Sequence, residues 1–318
     1  MKKSLISEGK APRLCRRRTD PYPARLCFVL SVIFVFVLCL CLQAGCGAEN
    51  PCSGIEIGNP EEISEAIRGC MIGRSWRVNI TFRARTLNRD RIAEMMDALF
   101  QGALYESDDP KGGDYLRWQC GGYTLTHSVE RKWFRYTYSS RIVPEYYTTA
   151  EQEAFVDDAV SGIIEGFHLS EDASEYEKVR CVRDYICDTV EYDKVHRHLT
   201  GSKHIQSTAY AALAYHTALC QGYAVLAYRL LKELGVETRI VTGTADVSGR
   251  PERHAWNIVR IGEVFYNLDV TMDDVTGSFQ YFLKRDEAFQ ADHTRDAEFL
   301  TETFASEYPM ASEDMNLE

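Results

Sequence analysis

The sequence predicts an α+β protein, on three observations. Two long stretches, Glu175 to Val190 and Gln221 to Leu234, carry apolar residues at helical spacing. His254 to Ile261 and Val264 to Thr271 are strand-like and flank Gly262-Glu263, a hairpin signal. Further upstream both periods occur together. Trp76 to Phe82 alternates with period two, whereas Ile92, Met95, Met96, Leu99 and Leu104 recur at helical spacing behind a cap at Asn88 or Asp90.

The first 46 residues differ in composition from the rest. Residues 1–25 hold eight Lys/Arg against Glu8 and Asp20, and residues 26–46 hold no charge at all. A basic flank before an apolar run of about 20 residues reads as a signal peptide or a signal anchor long enough to span a bilayer. The basic side stays in the cytoplasm, so the remainder is expected outside it. Gln43-Ala44-Gly45-Cys46 looks like a bacterial lipoprotein cleavage box, which makes Cys46 the lipidation candidate. The alternative is an uncleaved anchor in which Cys46 is one more cysteine of the span. Both forms predict attachment to a membrane on its extracytoplasmic side.

The whole chain carries −11. With eight cations and two anions in residues 1–25, residues 47–318 carry −17. Such an acidic surface argues against nucleic acid as a partner. Five cysteines besides Cys220 follow the leader: Cys52, Cys70, Cys120, Cys181 and Cys187. A Cys52–Cys70 bridge is open, and Cys181 and Cys187, six apart on one helix, are not expected to pair. Neither CxxC spacing nor a Cys/His cluster at zinc spacing is present, so no metal is expected.

Residues 47–60 read as a tether and residues 61–147 as a small α+β domain. The latter has a loop at Asp108–Gly113 and strands at Tyr123 to Val129 and Trp133 to Tyr138. Residues 148–318 form the second domain. It opens on a helix from Thr149 to about Gly166 and continues through the Glu175 helix, whose Val179, Val182, Ile186 and Val190 share one face. Glu191-Tyr192-Asp193 leads into a polar segment with His196, His198 and His204, read as a flap beside the site rather than a metal centre.

Cys220 lies at the start of the next helix, where unpaired amides and the helix dipole stabilise negative charge. A thiolate is the reactive form, and the same amides can receive an oxyanion. A strand from Val236 to Val241 and a polar loop over 244–253 follow. In the next hairpin, a loop of Ile261-Gly262 sets His254 opposite Asp269. A loop of Gly262-Glu263 sets His254 opposite Thr271, with Asp269 diagonal. Both registers put the pair on one face, whereas an odd loop would separate them. His254 then serves as base and Asp269 as its orienting carboxylate. Trp256 lies on the same face and is read as packing or as a wall of the site.

Leu219-Cys220-Gln221-Gly222-Tyr223-Ala224, His254-Ala255-Trp256-Asn257 and Asn267-Leu268-Asp269-Val270-Thr271 together resemble the transglutaminase-like superfamily, over roughly residues 150–295. Ala218-Leu219 and Met272 depart from the common pattern without removing a catalytic atom. The resemblance implies a papain-like core, with a Cys-bearing helix packed on an antiparallel sheet carrying His and Asp. It also implies thiol acyl chemistry on amide bonds. That chemistry needs no metal or organic cofactor, and the extracytoplasmic setting points to a peptide, protein or cell-wall amide as substrate. Gln221 and Tyr210 are candidates for the second oxyanion donor.

Overall fold

The computed structural model describes residues 53–56, 60–84, 89–196, 205–246 and 249–316. The leader, Cys46, Cys52, Asn88, His198 and His204 lie outside the described residues. Among the described residues no helix is long and apolar enough to cross a membrane.

The first sheet has the order β1-β2-β4-β3, with β1 at Ser53–Glu56, β2 at Val78–Ala84, β3 at Cys120–Lys132 and β4 at Arg135–Tyr146. β1 runs parallel to β2, and the other pairs are antiparallel. Helices α1 (Pro60–Ile72) and α2 (Arg89–Ala103) cover it. Ile63, Ile67 and Met71 of α1 and Met96, Leu99 and Phe100 of α2 share one buried cluster with Val78, Ile80, Tyr138 and Ile142. Each such side chain contributes about 1.5–3 kcal/mol on leaving water. The buried Arg68 closes the end of α2, its Nε donating to the Ala103 carbonyl at 2.9 Å.

Several sequence expectations change in this half. Ser53–Glu56, within the expected tether, is a strand, and the α1 helix follows it. A short helix, α3 (Gly113–Trp118), succeeds the Asp108 loop. The two strands expected at 123–129 and 133–138 are longer, and Trp133 and Phe134 form the turn between them rather than the head of a strand. Aromatic propensity favours a strand at these two positions, whereas the pairing of Lys132 with Arg135 makes them the loop.

Two short strands, β5 (Glu191–Tyr192) and β6 (Thr217–Ala218), pair in parallel, and the second sheet is antiparallel throughout, in the order β10-β7-β8-β9. Its strands are β7 (Thr238–Asp246), β8 (Pro251–Ile261), β9 (Val264–Leu268) and β10 (His293–Arg295). The expected loop over 244–253 is largely strand, because Thr244, Ala245 and Asp246 pair with Arg253, Glu252 and Pro251. Among the helices that accompany this sheet are α4 (Ala150–Gly166), α5 (Glu175–Thr189), α6 (Ala209–Ala214) and α7 (Cys220–Glu233). Capping boxes start α4 at Thr149/Gln152 and α5 at Ser174/Glu177. The run Gly222–Leu231 of α7 is buried throughout, so α7 is the central helix. Its buried Arg229 is neutralised by Asp157 at 2.8 Å and by Glu233. The mixed architecture, with a Cys-bearing helix on an antiparallel sheet, is the one the sequence predicts. Cys70 is disulfide-bonded, and Cys120, Cys181, Cys187 and Cys220 are free.

Candidate active site

Cys220 is the first residue of α7, behind the extended N-cap Leu219. The Leu219 N–H donates to the Gln206 carbonyl at 2.8 Å, which pins the helix start to the turn at Ile205–Ser207. Gly222 makes that seat possible. A β-carbon there would lie 2.8 Å from the Gln206 oxygen and 2.8 Å from the Ala218 β-carbon. The segment Glu191–Tyr192 pairs in parallel with Thr217–Ala218, so the start of the polar segment is held two residues ahead of the cysteine.

His254 lies on β8, which Asn257 ties to α7 by donating from Nδ2 to the Ala224 carbonyl at 3.1 Å. Ile261 pairs with Val264, so Gly262-Glu263 is the hairpin loop. This is the second of the two expected registers. The strand does not run to Thr271 as expected, because β9 ends at Leu268 and a short helix, α8 (Val270–Thr276), begins. Asp269 is its N-cap, and Oδ1 accepts from the Met272 N–H at 3.0 Å. The other oxygen, Oδ2, lies 2.6 Å from His254 Nε2. One side chain thus both caps α8 and bonds His254.

With Nε2 engaged, the other ring nitrogen of His254 remains for Cys220, and thiol and imidazole each stabilise the charged form of the other. Burial pushes the Cys220 thiol up, but the His254 charge, its hydrogen bond and the Ala255 N–H outweigh burial and hold the thiol below its ordinary 9.0. Burial likewise pulls His254 down, yet Asp269 and Cys220 raise it well above 6.5. Asp269 is fully buried, and His254 with His293 holds its carboxyl below the usual carboxylate range against burial. A thiol held low beside an imidazole held high favours a thiolate–imidazolium pair.

Trp256 packs, and it also walls the site. Its ring lies 6.1 Å from that of His254 at an interplanar angle of 21°, and its Nε1 donates to Asn267 Oδ1 at 3.2 Å. The Gln221 side chain is not directed at an oxyanion, because its amide donates to the Trp118 carbonyl at 2.6 Å and anchors α7 to α3. Tyr210 on α6 packs edge-on to Phe155 and Tyr215, at 5.5 and 5.6 Å. Among the described residues no backbone carbonyl accepts from the first-turn N–H groups of Cys220 and Gln221, which precede the helical ladder.

Sequence reasoning missed His293. It sits on β10, 2% exposed, with Nε2 3.1 Å from Asp269 Oδ2 and Nδ1 2.6 Å from Asp292 Oδ1. Gly243 lets β10 approach β7 this closely, since a β-carbon would meet the Thr294 oxygen at 1.9 Å. No periodic or motif signal marks a histidine on a three-residue edge strand. The ligand atoms of His254, Asp269 and His293 lie within 4.8 Å of one another, close enough for a metal. Both imidazoles, however, already bond the same carboxylate oxygen, so a cation there would displace the contact that orients His254. Replacing His293 with Ala is expected to lower kcat by about 10–100-fold, with KM little changed, through loss of Asp269 positioning. The test is steady-state kinetics beside His293→Asn, which can still donate to Asp269 and should retain more activity. Of the expected histidine cluster, His196 is described, and its Nδ1 lies 2.6 Å from Asp193 Oδ2.

Residues 167–270, a span that holds Cys220, His254 and Asp269, match the family model of the Transglutaminase-like superfamily. Among solved structures the chain is similar to a TGase at 18% identity, covering 71% of this chain and 57% of that one, with a TM-score of 0.34. A candidate cysteine protease from Cytophaga hutchinsonii is similar at 16% identity over 55% of this chain and 69% of that one, TM-score 0.32. A candidate protease from Parabacteroides distasonis is similar at 10% identity over 60% of this chain and 40% of that one, TM-score 0.27. The chain thus spans 57% of the length of the first of these structures. No curated protein matches it.

Proposed function

We propose, with the match of residues 167–270 to the transglutaminase-like superfamily as premise, that the protein is a cysteine acyl-transfer enzyme acting on amide bonds. The observation that carries the reading is the 2.6 Å bond between His254 Nε2 and Asp269 Oδ2, which leaves the other imidazole nitrogen for the thiol. The Cys220 thiolate attacks the amide carbonyl carbon. The first-turn amides of α7 receive the oxyanion. As the C–N bond breaks, the His254 imidazolium gives its proton to the leaving amine, and a thioester remains. Water, deprotonated by His254, then attacks the thioester and releases an acid, restoring the thiol. Each step is served by residues of this chain.

The uncharged run at 26–46 supports attachment to a membrane with the site outside the cytoplasm. Water is abundant there, which favours hydrolysis of peptide or cell-wall amides over transfer to an amine. The test is mass spectrometry of the protein after brief reaction with a library of amide-bearing peptides. An acyl adduct on Cys220 that decays to free acid supports the reading, and decay to an amine-linked product makes the enzyme a cross-linker. If Cys220 takes no adduct and reacts with iodoacetamide no faster than a free thiol, the domain is a non-catalytic scaffold.

A further inference from the structure

The hairpin β3–β4 ends in a turn that adds nothing to the packing of the fold. Its two residues, Trp133 and Phe134, are 89% and 85% exposed. Trp133 lies at φ 57°, in the left-handed region. Two-residue hairpin turns with positive φ favour Asn and Gly, because a β-carbon is strained there. The closing pair is Lys132 with Arg135, like charges set directly opposite, which is itself unfavourable. Arg131 stands beside them, its guanidinium 5.8 Å from the Tyr136 ring. Exposed Arg83 lies on the neighbouring strand, where it pairs with Thr137. Among the described residues no carboxylate forms an ion pair with Arg131, Lys132 or Arg135. Strain, like-charge pairing and two solvated rings at one spot each disfavour the free hairpin, and such local conflicts concentrate at functional sites.

We propose that this tip inserts into the interfacial layer of an anionic phospholipid membrane. Trp is the side chain most suited to the headgroup boundary, and Phe reaches the acyl chains below it. Arg and Lys stems run along apolar surface while their charges meet lipid phosphates. A protein partner fits less well, because two rings cover about 300–500 Å² in total and a stable protein interface needs about 800 Å² per side. The sign of the charge selects the lipid. Residues 47–318 are strongly acidic, at −17, yet 131–135 hold three cations and no anion. The inference stands apart from the chemistry at Cys220 and from the leader.

The test uses the full chain with phosphatidylcholine vesicles, with or without phosphatidylglycerol, all carrying acyl-brominated lipid. Trp133 is one of four tryptophans, so about a quarter of the emission should be quenched when phosphatidylglycerol is present. The quenched fraction should vanish in Trp133→Phe. A double variant, Trp133→Gly with Phe134→Asn, puts glycine at the turn position with positive φ, so it should melt no lower than the parent while its response to phosphatidylglycerol disappears. Should the leader anchor the chain in both vesicle types, flotation would be equal in both, and the Trp133-dependent quenching still reads the hairpin alone. Absence of that quenching, or equal quenching with and without phosphatidylglycerol, overturns the proposal. So does a chain dimer that the double variant dissolves.

Discussion

Cys220→Ala is expected to abolish turnover, lowering kcat by about 10⁴-fold or more, with the fold retained. The thiol is partly exposed at a helix start, so its loss should cost stability within about 1 kcal/mol. Labelling can separate this residue from the other thiols. Burial pushes Cys187 up to about 12 and raises Cys120 and Cys181, whereas Cys220 lies below 9.0. Iodoacetamide near neutral pH should therefore react first at Cys220 among these four. The two pH limbs should also differ. Acid protonates the Cys220 thiolate, and labelling and turnover fall together. Above the raised value of His254 the imidazolium is lost, so turnover falls while labelling persists. Labelling that rises only near 9.0, with turnover intact in Cys220→Ala, would refute the nucleophile assignment.

Asp269→Asn is expected to cost a similar factor in kcat, about 10⁴-fold, through the tautomer of His254. The carboxylate now accepts from Nε2. An amide NH2 at that place demands that Nε2 accept instead, which puts the ring hydrogen on the nitrogen that should take the Cys220 proton. Asn still caps α8 through its oxygen, so the helix start should survive. Stability should nevertheless fall by up to about 3–5 kcal/mol, because two buried imidazoles lose their shared partner. The loss has a pH window. A depressed Asp269 contributes stability that is present above 3.8 and is lost as pH falls through its folded value. A raised His254 contributes stability that is complete below 6.5 and is lost as pH rises through its own folded value. Urea melts of parent and variant should thus differ most between pH 3.8 and 6.5 and converge on either side. A variant with parental kcat would remove Asp269 from the site.

The sequence made the cysteine and histidine elements readable because both are local patterns. The helix after Cys220 has its period written in Ala224, Val225, Tyr228 and Leu231, all buried. The turn at Gly262-Glu263 set the register that keeps His254 and Asp269 together. What misled was β-propensity without its tertiary context. Val270 and Thr271 are β-branched and read as strand, yet the Asp269 cap turns the chain into α8 there. Trp133 and Phe134 misled for the same reason. His293 was invisible because its place depends on β10 joining the sheet 24 residues after Asp269, a contact with no local signature. Gln221 looked available to substrate until its partner, the carbonyl of Trp118 more than 100 residues earlier, was in view.

Asp269 divides its two oxygens between the backbone of Met272 and the imidazoles. A carboxylate shared in this way is a mechanical link as well as an electrostatic one. When the charge on His254 changes during a catalytic cycle, the hold on the first turn of α8 changes with it. The Met272 amide is therefore expected to act as a gauge: its exchange with heavy water should follow the charge on His254.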